Sequence, residues 1–269
     1  MHPVLFQIGS LVVPSYGALA AIGVLLALGL AQLTARRAGF DPRHGWNMVV
    51  LAALAGLAVA RLLLILLNLS DLRKHPSWLF AVAMVHHPML AGAGAIGGGV
   101  ALLMYAGWAK LSLRSVGDCL ALPLSVALAA EQVGSLLAGS DFGRDSNGGW
   151  AVTYTSELAA RWSGTPLGVA MVPVQAYAAL SWLAMAAICA AWLWLPQLSR
   201  IRRAGDIAGV WLLGAGALLV VTEMFRDWEG RGVLLRGMVD SPQLVGLGLV
   251  LLGGVVLGEW KFLPAGPKG

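Results

Sequence analysis

Apolar residues in this chain fall in long unbroken runs, not at the alternating or one-sided positions that mark a soluble strand or helix. A helix needs about 20 mostly apolar residues to cross the hydrocarbon core of a bilayer. Seven runs approach or exceed that length, over residues 11–34, 47–67, 90–109, 116–138, 167–195, 207–224 and 242–260. The run at 167–195 is long enough to tilt or to extend past the bilayer. Nothing basic precedes the first run and no small-residue cleavage site follows it, so it reads as a retained span and not as a cleaved signal peptide. Most connections are short, but residues 68–89 and 139–166 are long, and long loops are uncommon unless they are functional or disordered. Trp78, Trp150, Tyr154 and Trp162 predict that parts of both loops lie at headgroup level, and residues 78–89 suit a short interfacial or re-entrant helix. The pattern predicts an all-α polytopic membrane protein of seven transmembrane helices with two longer outer loops. It forms a single integral-membrane domain over 1–269, without an internal repeat.

Composition strengthens this picture. Hydrophobic residues make up 58% of the chain, charged residues 12%, and the mean hydropathy is +0.78. A soluble domain carries roughly 25% charge, so half that value excludes soluble globular and disordered classes. The net charge of +5 sits between apolar runs as a topology signal, and no basic run with interleaved aromatics suggests nucleic acid. With the N-terminus outside, inner loops hold ten Lys and Arg and outer loops seven, leaving Arg61 within a span. That bias favours an outer N-terminus and an inner C-terminus. Cys119 and Cys189 both lie in apolar segments and read as small buried hydrophobes. No metal-ligand spacing appears, and no cofactor is implied.

Polar residues at bilayer depth cost free energy unless paired or hydrated, so they mark candidate chemistry. Arg61 lies past the middle of the second span, where it either snorkels or pairs with a carboxylate, or clamps a phospholipid phosphate. Glu131 and Gln132 sit together in the fourth span, as a structural pair with Arg61 or as a polar cavity wall containing a general base. Glu223 and Arg226 share a helix face at i,i+3, as a closing ion pair or as part of an outward-facing binding site. His86 and His87 are adjacent and so point apart on a helix; one of them alone is a candidate base, and no further ligand completes a metal site. The run Gly92–Gly99 lacks the Lys and Ser/Thr of a phosphate loop and reads as close helix packing, with an unwound lipid-lining stretch as the alternative.

In order, these landmarks resemble the prolipoprotein diacylglyceryl transferases. The start HPVLFQIGSLVVPSYGALAAIG (2–23) is similar to that family's opening, with Pro3, Ile8, Gly9, Tyr16 and Gly17 in place. Arg36-Arg37, Arg61 with Asn68, MLAGAGAIGGG (89–99), DCLALP (118–123), GSLLAGSDFGR (134–144), VPVQAY (172–177), GDIAGVWLLGAG (205–216), EMFR (223–226) and SPQL (241–244) follow at family spacing. The resemblance implies a multi-pass bacterial inner-membrane enzyme with a periplasmic N-terminus and two periplasmic loops. Such an enzyme transfers the diacylglyceryl group of phosphatidylglycerol to the lipobox cysteine of a prolipoprotein, releasing glycerol phosphate. Its implied partners are that phospholipid and, through the acceptor, prolipoprotein signal peptides. Tyr16, Arg61, Gln132, Gln175, Tyr177, Glu223 and Arg226 are then the substrate-binding candidates. His86, His87 and Glu131 are the catalytic candidates.

The departures from the family pattern fall on its chemistry. Gly92 stands where the family carries His or Tyr, and Glu131-Gln132 stands for its Gly-Arg. Ser135 stands for Asn, Ala215 for Tyr, Leu219 for Arg and Val172 for His. A thiol attacks as the thiolate, and the departing phosphate needs positive charge. Losing one such donor commonly lowers rate by about 10²–10³. Three readings therefore stand: a divergent transferase with a rebuilt site, a catalytically inactive relative that binds phospholipid or lipoprotein, and a small-solute transporter. The absence of an inverted repeat counts against the third.

Overall fold

The computed structural model describes residues 2–9, 11–69, 88–200, 203–226, 233–234 and 239–258. A hairpin of β1 (Val4–Ile8) and β2 (Leu11–Pro14) leads into α1 (Ser15–Ala38). Then come α2 (Pro42–Leu67), α3 (Pro88–Trp108) and α4 (Leu113–Ala138). A loop region holding β3 (Val152–Thr153), α5 (Glu157–Ser163) and β4 (Ala170–Met171) leads to α6 (Val174–Trp194). The short α7 (Pro196–Ser199) precedes α8 (Asp206–Glu223), and a β5–β6 hairpin (Val233–Leu234, Val239–Asp240) precedes α9 (Ser241–Gly258).

Among the described residues, six helices are long and apolar enough to cross a membrane: α1, α2, α3, α4, α6 and α8. The apolar part of α9, Pro242–Gly258, is shorter. At about 1.5 Å per residue it reaches ~26 Å, slightly under the ~30 Å hydrocarbon core. The architecture is thus a mainly helical membrane bundle with short hairpins at its ends. Two boundaries differ from the sequence expectation. The first helix begins at Ser15 and not at 11, because Leu11–Pro14 pairs with Val4–Ile8. The long run at 167–195 is not one tilted helix: Ala170–Met171 pairs with Val152–Thr153, and α6 begins only at Val174. In both places the residues that form the hairpin are as apolar as the helix that follows.

The central element is α4, which packs against α1, α6 and α8. It contains Pro123, whose ring nitrogen has no hydrogen to donate to the carbonyl of Cys119. In a bilayer such a carbonyl finds no water. Thr34 of α1 supplies the missing donor, with Oγ1 2.7 Å from the Cys119 oxygen. A second helix-end problem is solved in the same way. The Asp118 carboxylate accepts from the N–H groups of Gly205 and Ala208 at 2.9 Å each, capping α8 from a neighbouring helix. Trp211 of α8 donates to Ser125 Oγ of α4 at 2.9 Å.

The glycine run is continuous helix in α3 and packs tightly on α2. A Cβ at Gly98 would lie 2.7 Å from the Ala52 carbonyl oxygen, and one at Gly94 would lie 3.1 Å from that of Gly56. Close packing is therefore its role, and no unwound stretch is present there. Both cysteines are free and buried, as expected.

A candidate active site at one end of the bundle

Four elements converge where α1 begins and α4 and α8 end. A Cβ at Gly134 of α4 would stand 3.1 Å from the Tyr16 Cα, so these helices touch at the first turn of α1. This contact brings Tyr16 beside Glu131, one helical turn below Gly134. The Glu131 carboxyl accepts from Gln132 Nε2 at 2.6 Å and from Ser135 Oγ at 3.2 Å, and the Tyr16 hydroxyl is a third hydrogen-bond partner. Among the described residues, no Glu131–Arg61 pair forms.

Beyond α4, Gly139 caps the helix in the left-handed region, and the chain turns through Ser140 and Asp141. Residues 143–144 then run antiparallel to the end of α8. Gly143 bridges Arg226, and the Arg144 N–H donates to the Phe225 carbonyl at 3.0 Å. A Cβ at Gly143 would sit 2.7 Å from Val174 Cγ2 and 3.0 Å from the Phe225 oxygen, so the strand passes through a slot that only glycine fits. The bridge sets Asp141 against Arg226. Arg226 Nη1 lies 3.3 Å from Glu223 Oε1 and 3.7 Å from Asp141 Oδ1. The expected Glu223–Arg226 pair is present, and Asp141 joins it. Asp141 also interacts electrostatically with Glu131 and Tyr16, linking the two halves of the cluster. Among the described residues, the buried acceptor Gln132 Oε1 and the buried donor Arg226 Nε have no hydrogen-bond partner, and neither do Ser140 Oγ and Gln175 Oε1 at the turn that carries Asp141.

The other candidates are placed differently. Gln175 is fully buried, and its Nε2 donates to the Ser140 carbonyl at 2.6 Å with the Tyr154 hydroxyl 3.3 Å away. It fastens the post-α4 turn to α6. Tyr154 is 1% exposed and fills the interior of the loop region, and that burial holds its hydroxyl above the ordinary tyrosine range. Trp150, by contrast, is 83% exposed. Tyr177 lies on an open face of α6 at 44% exposure. Arg61 is half-buried with no hydrogen bond or ion pair among the described residues. The Gly45 contact to Ala31 fixes the register of α2 on α1. Counting ~1.5 Å per residue from that contact puts Arg61 level with the first turn of α1. His86 and His87 lie outside the described residues. No group of three His, Cys, Asp or Glu residues arranged for a metal occurs among the described ones.

The substituted positions each have a local account. A Cβ at Gly92 would meet nothing within 4 Å, so the space of a larger side chain is open there. Ala215 is core, packed with Ala129 and Trp182, and Leu219 packs on Gly246 of α9. Ser135 serves Glu131. A groove of about 290 Å³ runs between α6 and α8, lined by Trp182, Met185, Gly214, Leu218 and Val221. A second cavity of about 370 Å³, lined by Gln32, Arg43, Trp46 and Asn47, lies at the opposite end of the bundle.

The chain is similar to three proteins named phosphatidylglycerol–prolipoprotein diacylglyceryl transferase. The one from Pseudoalteromonas translucida is 27% identical over the whole chain and 96% of the relative. The one from Clostridium tetani is 22% identical over 94% of the chain and 95% of the relative. That of Synechocystis is 27% identical over 97% of the chain and 89% of the relative. The sequence pattern described as prolipoprotein diacylglyceryl transferase matches residues 3–258, and on that extent the chain belongs to the prolipoprotein diacylglyceryl transferase family.

Proposed function

We propose that this chain is a multi-pass bacterial inner-membrane transferase. In this reading it moves a diacylglyceryl group from a phospholipid to the cysteine thiol of a prolipoprotein, using a rebuilt site. Phosphatidylglycerol is the donor named for its relatives. The observation that carries this reading is the Tyr16–Glu131–Gln132–Ser135 cluster, joined through Asp141 to Glu223 and Arg226. A carboxyl and a guanidinium at one end of the bundle support the reading, the first as proton acceptor and the second as phosphate partner. The apolar groove between α6 and α8 suits one acyl chain of the donor, because its lining is Trp182, Met185, Leu218 and Val221.

The step is a displacement at the glyceryl carbon that bears the phosphate oxygen. The thiol proton passes to the Glu131 carboxylate and the sulfur–carbon bond forms. The carbon–oxygen pair leaves on the phosphate, which departs as glycerol phosphate. The Arg226 guanidinium, with Arg61 level with it, balances the charge that develops there. Tyr16, Gln132 and Ser135 orient the carboxyl. His86 or His87 is the alternative acceptor. Gln175 holds the turn that carries Asp141, and Tyr177 borders the lipid side. In the orientation proposed, the N-terminus and this cluster face the periplasm and the C-terminus faces the cytoplasm.

One observation favours a second reading, a relative that binds phospholipid or lipoprotein without turnover: Arg226 is already paired with two carboxylates. The two readings separate in a bacterium depleted of its own transferase. Expression of this chain should restore lipidation of a model prolipoprotein, followed by labelled fatty acid and gel shift, and Arg61→Ala should reduce it. No lipidation despite verified membrane expression supports the binding reading.

A further inference from the structure

The cavity at the far end of the bundle takes no part in the site above. Gln32, which lines it, lies about 24 Å along α1 from Tyr16 at the ordinary helical rise. α1 and α2 cross tightly there: a Cβ at Gly45 would overlap the Ala31 carbonyl and stand 3.1 Å from Ala35 Cβ. Beside that contact a cavity of about 370 Å³ opens between Gln32 of α1 and Pro42, Arg43, Trp46 and Asn47 of α2. Its size falls within the roughly 300–1,000 Å³ of small-ligand clefts. Asn47 is held in place, since its Nδ2 donates to the Tyr105 hydroxyl at 2.9 Å, and the same hydroxyl lies 2.8 Å from His44 Nδ1. Its Oδ1, the Gln32 carboxamide and the Arg43 guanidinium form no hydrogen bond or ion pair among the described residues. Gln32 sits about 9 Å before the end of α1, at a depth where a polar side chain is costly unless a partner meets it. Two exposed tryptophans mark the bilayer interface at this end, Trp46 on the cavity and Trp108 beside Tyr105 at 5.9 Å. The ends of α1 to α4 that meet here carry Arg36, Arg37, Arg43, Lys110 and Arg114. Against them stands Asp41, which accepts from the Arg43 N–H at 2.8 Å, while Asp118 is taken up in capping α8.

We propose that this cavity is a second phospholipid site, in the leaflet opposite the candidate active site, and that it takes the phosphoglycerol headgroup of an anionic lipid. The Arg43 guanidinium meets the phosphodiester, which it suits in shape and charge. The Gln32 carboxamide and Asn47 Oδ1 meet the glycerol hydroxyls, which both donate and accept. The excess of cations disfavours a headgroup that carries its own ammonium. Trp46 at the opening borders the acyl chains and commits the phosphate to a lipid and not to a soluble phosphate ester. A lipid held in this way bridges α1 and α2 and stabilises their crossing without entering the transfer step. The inference stands whether or not the chain transfers a diacylglyceryl group.

The test separates this site from the donor site. The purified full-length protein, stripped of lipid in neutral detergent, is titrated at pH 7 with phosphatidylglycerol or phosphatidylcholine of matched acyl chains, and native mass spectrometry counts the lipids bound. A photoactivatable phosphatidylglycerol should label residues 39–47. Arg43→Gln, a change at an exposed position, should weaken one bound phosphatidylglycerol by about tenfold, the size of one charge-assisted hydrogen bond, and remove the label. Gln32→Leu should weaken the same step by about threefold. Arg61→Ala should leave that step and the label unchanged. Equal binding of phosphatidylcholine at this step overturns the proposal, as does an unchanged lipid count and label in Arg43→Gln. Displacement of the label by an equal concentration of soluble glycerol phosphate overturns the assignment to a lipid. Loss of the label in Arg61→Ala would merge the two sites and overturn the proposal as well.

Discussion

Glu131 sits at a depth where a carboxyl without partners is costly, and it has three: Gln132, Ser135 and Tyr16. Two of these residues occupy positions where the family pattern carries other side chains, so the substitutions form a mutually consistent set around one carboxyl. If that carboxyl receives the thiol proton, Glu131→Gln keeps the shape and removes the base. Its transfer rate should fall by about 10²–10⁴, at equal membrane abundance and with donor-lipid binding retained. Arg226 differs because it both balances charge and holds Asp141. Arg226→Ala should lower transfer by at least about 10²-fold, and Arg226→Lys should recover only part of it, since a point charge cannot serve two carboxylates and a phosphate at once. Initial rates with a synthetic acceptor peptide separate these cases. Asp141 was not singled out in the sequence because its partner Arg226 is distant in the chain. The only local sign was a charge between two glycine-containing turns directly after a span. Tyr177, conversely, matched a family motif yet lies on an exposed face of its helix.

At the scale of elements, α4 is held by hydrogen bonds that apolarity alone does not reveal. Pro123 frees a carbonyl and Thr34 meets it; Asp118 caps a helix on which it does not lie. Hydrogen bonds between membrane helices contribute about 0.5–2 kcal/mol each. Thr34→Val should lower stability by about that amount without altering the lipid site. Gly98→Leu should do more harm, because the added side chain meets the α2 backbone itself. Thermal unfolding in detergent should show a clear drop in Tm for Gly98→Leu and a small one for Thr34→Val. The helices were readable in the sequence because a bilayer forces apolar runs of nearly fixed length. Two helix starts were not, because β2 and β4 are built from the same apolar residue types as the helices that follow and differ only in their strand partners.

The whole molecule combines a helical membrane body with an ordered loop region that is tied near its start by the Gly143–Arg226 bridge. Orientation follows from charge bias, which predicts that this loop region faces outward. Both native cysteines are buried, so a single new thiol reports cleanly. Trp150→Cys, at a fully open position, should react with a membrane-impermeant maleimide in intact spheroplasts, and reaction only after lysis would invert the topology. The family was legible because its landmarks are spread along the whole chain, whereas the rebuilt site was not, because its parts meet only in three dimensions. The most direct test of the account reconstitutes the purified protein with donor phospholipid and a lipobox peptide, and measures thioether formation together with released headgroup phosphate. The account predicts equal amounts of both products, dependent on Glu131. Verified lipid binding with neither product would contradict it.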